Sequence, residues 1–119
     1  MSYLVSSPIK TNWHMTPTEF ISKLLERWPK AQARARTFAS PFSHDWKIHM
    51  PAGVLEGKFN QNYSGISIEG ELEDCAAFAL WFRSVVPGAQ PLLFYDDCFS
   101  VDVPLTAETT VADLVAAFQ

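Results

Sequence analysis

VLEGKFNQNYSGISIEGEL, residues 54 to 72, alternates apolar and polar side chains on either side of a Gln61-Asn62 turn signal. Strand side chains change face with every residue, so only some loop lengths bring like with like across a hairpin. Leu55 and Phe59 fall at odd positions, whereas Ile66, Ile68 and Leu72 fall at even ones. An even loop, of about two or four residues, is therefore needed to bury both apolar sets on one face. A two-residue loop sets Leu55 opposite Ile68 and Gly57 opposite Ile66 inside, with Glu56 opposite Ser67 outside. Glu69 and Glu71 then point to solvent beside them.

Working outward, residues 46–50 read as the strand before this hairpin, so that 46–50, 54–59 and 64–72 form three consecutive strands. Upstream, Thr16 caps a helix, Pro17 occupies its first position, Glu19 completes a capping box and Pro29 stops it. Phe20, Ile21, Leu24, Leu25 and Trp28 form its apolar stripe. KAQARAR, residues 30–36, is open to a short second helix, and 37–45 reads as loop. Residues 1–15 read as an extended N-terminal segment. Downstream, Glu73 and Asp74 suit the start of a helix that contains CAAFALWF, from Cys75 to Phe82, and ends before Pro87. Strands at 92–95 and 99–103 follow, then a helix capped by Thr109 or Thr110 with Val111, Leu114, Val115 and Phe118 as its stripe. The expected fold is a single α+β domain over residues 1–119. It has two layers, an antiparallel sheet of about five strands with helices mainly on one face, in the order α-βββ-α-ββ-α.

With 119 residues, 48% apolar and 18% charged, the chain can bury one substantial core. CAAFALWF is the longest apolar run, far short of the roughly 20 residues a membrane-spanning helix needs, and MSYLVSSPIK lacks the features of a secretory signal. A cytoplasmic location is expected. Cys75 and Cys98 are far apart and form no CxxC, which argues for two free thiols rather than a disulfide framework or a Cys-based zinc site. The net charge of −4 is unevenly spread: residues 1–60 carry eight basic against four acidic residues, and residues 61–119 carry one basic against nine acidic. Such a split suits docking of one half on the other, within a chain or between chains, or an acidic half that faces a basic partner, and it disfavours nucleic acid as the main ligand.

Asp96-Asp97-Cys98 places two carboxylates beside a thiol. A cysteine nucleophile needs a base within hydrogen-bond reach, and His14, His44 and His49 stand in no recognisable family spacing to Cys98. A hairpin tip is favoured, because Asp tolerates turn conformations and Phe99, Val101 and Val103 alternate like a strand. A thiol-dependent enzyme using Cys98 and a metal- or anion-sensing turn are the alternatives. Zinc held by His44, Asp45 and His49 is a further alternative, set against ordinary surface histidines. Arg27, Lys30, Arg34 and Arg36, with Trp28 and Phe38 close by, form one basic patch; a solvated helix end or a dock for the acidic half is favoured there over single-stranded nucleic acid. Glu56, Glu69 and Glu71, with Asp102, fall on the expected outer sheet face, too flat for the paired-carboxylate chemistry of glycosidases; an ordinary solvated face is the first reading and recognition of a basic partner the second.

The sequence thus points to a small non-enzymatic protein-binding domain with no cofactor, metal or catalytic residue assigned. Glu69, Glu71, Tyr95, Asp96, Asp97 and Asp102 are its partner-binding candidates. The nearly all-round apolar Cys75 to Phe82 helix adds the expectation of a homodimer. In element order and acidity the chain resembles the small acidic chaperones of bacterial type III secretion, which implies the same homodimeric binding role. An acidic immunity protein that blocks a basic toxin is the other form this role could take.

Overall fold

Antiparallel ladders organise the computed structural model, which describes residues 2–7, 15–35, 42–60, 65–96, 98 and 101–118. In chain order the elements are β1 (Ser2–Ser6), α1 (Pro17–Arg27), β2 (Gln32–Ala35), β3 (Phe42–Met50), β4 (Gly53–Asn60) and β5 (Gly65–Glu69). They continue with α2 (Leu72–Val85), β6 (Leu93–Asp96), β7 (Asp102–Pro104) and α3 (Val111–Ala117). One seven-stranded sheet runs β2-β3-β4-β5-β1-β6-β7, with every neighbouring pair antiparallel. The α+β class and the antiparallel sheet agree with expectation. Seven strands replace the expected five, because β1 and β2 join the sheet, and the order departs accordingly from α-βββ-α-ββ-α.

β1 is the strand on which the sheet turns. It lies between β5 and β6, pairing Val5 with Ile66 on one side and with Phe94 on the other. It thereby joins the β2–β5 meander to the β6–β7 hairpin. β2 replaces the short helix considered for residues 30–36. Ala, Gln and Arg favour helix locally, but β3 offers a ladder to Gln32–Ala35, and tertiary pairing overrides propensity. β3 begins at Phe42, inside the stretch read as loop, with a register irregularity between Phe42 and His44.

The β4–β5 hairpin has the expected even loop, in its longer form. Asn60 pairs with Gly65, so Gly57 faces Ile68 and Phe59 faces Ile66. The two-residue alternative, with Leu55 on Ile68 and Glu56 on Ser67, is overturned; Glu56 instead faces Glu69. Gly57 also faces Trp46, whose ring lies over it where a Cβ would sit. Trp46 stacks on Phe78 of α2 with ring centroids 4.5 Å apart.

All three helices cover the face that carries Tyr3, Val5, Trp46, Leu55, Phe59, Ile66, Ile68 and Phe94. α1 is capped as expected, the Thr16 hydroxyl accepting the Glu19 N–H at 3.1 Å; the Glu19 carboxylate accepts from the Thr16 hydroxyl rather than from its backbone. Phe20 stacks on Phe59 and meets Phe82 edge-on, while Trp28 packs on Phe78 and Trp81. α3 lies along the other side of α2, with Phe118 edge-on to Tyr3 and Phe94. The apolar circumference of α2 is thus largely covered within the chain, by the sheet, α1 and α3.

Arg83, in the last turn of α2, is 8% exposed and has no carboxylate partner among the described residues. Its guanidinium donates to the carbonyls of Val86 at 3.2 Å, Pro87 at 2.5 Å and Gln90 at 2.6 Å, strapping the 86–90 turn under the helix end. Burial lowers its pKa. At the other end of α2, the buried Asp74 accepts the Ala52 N–H at 3.3 Å and so ties the helix to the β3–β4 turn.

Candidate recognition surface on the open sheet face

Because the helices take one face, the alternate strand residues all project from the other. Two cross-strand rows result. The first runs Gln32, Lys47, Glu56, Glu69, Ser2, and the second runs Arg34, Asp45, Lys58, Ser67, Leu4, Tyr95, Asp102. A shallow groove of about 500 Å³ lies over the first row and the start of the second, lined by Ser2, Gln32, Arg34, Lys47, Glu56 and Glu69 among others.

Charges alternate along these rows rather than forming the uniformly acidic face expected. Lys47 pairs with Glu56 at 3.4 Å, and Arg34 pairs with Asp45 at 3.5 Å. Each pair has at least one well-exposed partner, and Asp45 is half-buried, so solvent screens both and each contributes little to stability. The exception to the alternation is Glu56 opposite Glu69, two carboxylates directly across neighbouring strands. Like charges in that relation repel and are destabilising.

The remaining candidates separate. Tyr95 and Asp102 face each other on the outer side, and the Tyr95 hydroxyl hydrogen-bonds the Ser6 hydroxyl at 2.8 Å. Together with Leu4 and Leu93 they form a second, more apolar part of the same face, away from the Glu56–Glu69 pair. Asp96 pairs with Tyr3, whose side chain points to the helix-covered face, so its parity takes it off the outer surface. Glu71 caps the start of α2 without a side-chain capping bond and is not a sheet residue. Asp97 lies outside the described residues. Ser2, Leu4, Lys58 and Ser67 belong to the surface although the sequence did not single them out. Lys58 and Ser67 were available from β4–β5 parity, but Ser2 and Leu4 need β1 in the sheet centre.

The chemistry weighed for the other motifs finds little support in the geometry. Cys98 is exposed in the β6–β7 connection, whereas His44 and His49 sit on β3, four strand spacings or roughly 19 Å from β6. His14 lies outside the described residues. His44 takes the inner parity of β3; Asp45 and His49 take the outer one, but four residues, roughly 13 Å, apart along the strand. Among the described residues no group of three or more His, Cys, Asp or Glu is placed to hold a metal ion. No helix among them is long and apolar enough to cross a membrane. Comparisons of the chain with protein-family models, with curated proteins and with solved structures return no match, so the functional argument rests on the surface itself.

Proposed function

We propose that the chain is a non-enzymatic protein-binding domain whose open sheet face receives a basic side chain of its partner between Glu56 and Glu69. The observation that carries this is the direct opposition of those two carboxylates on the face away from all three described helices. A cation seated between them converts mutual repulsion into two attractions, and the groove over the first row gives it room. Farther along the same face, Leu4, Leu93 and Tyr95 supply apolar contact, the aromatic-plus-aliphatic mix that protein interfaces favour. One protomer is the binding unit, since α2, which motivated a homodimer, is largely covered inside the chain.

An array of short Lys- and Arg-containing peptides tests the proposal. Retained peptides are expected to shift the amide resonances of Ser2, Glu56, Ser67 and Glu69. They are expected to bind roughly tenfold more weakly to a Glu56→Gln/Glu69→Gln protein, two exposed changes that leave the core alone. The proposal fails if no basic peptide binds, or if the double variant binds them as well as the parent does.

A further inference from the structure

The basic segment RWPKAQARAR, residues 27–36, has four cations and no acid, and recognition at Glu56 and Glu69 makes no use of it. Its residues Gln32–Ala35 form β2, an edge of the sheet, and Arg36 lies outside the described residues. The two edges differ. β7 is three residues long and ends at Pro104, which has no N–H to offer a further strand. β2 has no proline, pairs among the described residues with β3 alone, and exposes Gln32, Ala33 and Arg34. In an antiparallel pair alternate residues bond to the neighbour, so half of the β2 backbone groups face outward from the sheet.

We propose that this free edge is a docking site for an extended acidic segment of a partner protein, which adds to the sheet beyond β2. Strand addition supplies backbone hydrogen bonds, and side chains at alternate positions supply selection. Selection here is by charge. Arg34 stands on the outer face with its side chain 82% exposed, paired with Asp45 at 3.5 Å, and Lys30 and Arg27 are exposed just before the strand. Cations on an edge strand ordinarily prevent unwanted strand pairing. They turn away neutral and basic strands, and two copies of this chain paired at β2 would set the same cations against one another. An acidic strand meets no such barrier, and a carboxylate opposite Arg34 satisfies it.

The probe is a peptide of about eight residues alternating glutamate with threonine, followed by amide resonances and hydrogen exchange in the whole protein. Resonances of Gln32, Ala33, Arg34 and Ala35 are expected to shift, and the outward amides to slow their exchange. A lysine–threonine peptide and a glutamate peptide with proline at alternate positions are expected to leave them unmoved. Arg34→Glu, an exposed change, is expected to weaken the glutamate peptide at least about tenfold, while Glu56→Gln/Glu69→Gln leaves this binding intact. The second comparison separates this edge from the proposed Glu56–Glu69 site. Silence at β2 with the glutamate peptide, equal binding of the lysine peptide, an unaffected Arg34→Glu protein, or self-association through β2 would each overturn the proposal.

Discussion

Gly57 is where a single hydrogen atom decides the packing of the sheet on α2. Glycine in a strand interior ordinarily weakens it, but here the Trp46 ring occupies the space a Cβ would need, and that ring in turn stacks on Phe78. Gly57→Ala is therefore expected to lower stability by about 3 kcal/mol, read from chemical denaturation, because Trp46 must leave its rotamer and its stack. An effect below about 0.5 kcal/mol would mean the ring is free to move aside. Cys75 illustrates a different residue-level effect. Burial first, and then the charge of Asp74, push its thiol from 9.0 up to about 12. The folded state holds this proton more tightly than the unfolded chain, so the contribution is complete below about pH 9 and is lost as pH rises toward about 12. The urea midpoint of the parent is expected to fall more steeply between about pH 8 and 11 than that of Cys75→Ala. Parallel slopes would remove the thiol as the cause. Neither role could be read from sequence, where Gly57 is one small residue in a strand and Cys75 one of two scattered thiols.

At the level of elements, legibility followed local chemistry. α1 and α3 announce themselves through their caps. Thr110 and Asp113 form the reciprocal box, with the Asp113 N–H donating to the Thr110 hydroxyl at 3.1 Å and the Thr110 N–H to the Asp113 carboxylate at 3.0 Å. Thr110→Ala is expected to cost about 1 kcal/mol of thermal stability without moving the sheet, which calorimetry checks. β2 was illegible for the converse reason: its residues favour helix, and what makes it a strand is β3, in another part of the chain. The strap under α2 was equally hidden, since a lone Arg83 in a helical run reads as a solvated cation. Arg83→Lys keeps the charge but loses the forked donor set that reaches three carbonyls, and a loss of about 2 kcal/mol is expected in denaturant titration. An unchanged midpoint would show that the 86–90 turn holds itself.

For the whole molecule, everything depends on β1. Parity within β4 and β5 fixed the inner and outer faces from sequence alone, and Glu56, Glu69 and Asp102 were rightly assigned to the outer one. Which outward residues are neighbours could not be read, because the rows cross β1, whose Ser-Tyr-Leu-Val-Ser pattern carries too weak an alternation to mark a central strand. Val5→Asp puts a carboxylate in its fully buried centre. It is expected to unfold both the β2–β5 and the β6–β7 regions in one transition, followed by amide exchange. Survival of one region would show that the halves are separate units. β1 also sets the order of events as the chain is made. Ser6 and Tyr95, bonded across β1 and β6, are 89 residues apart. A growing chain therefore holds β1 long before β6 exists. Joining β1 to β6 is thus a long-range pairing, of the kind whose loop-closure entropy must be met before its contacts form, and such pairings are the slow ones in folding.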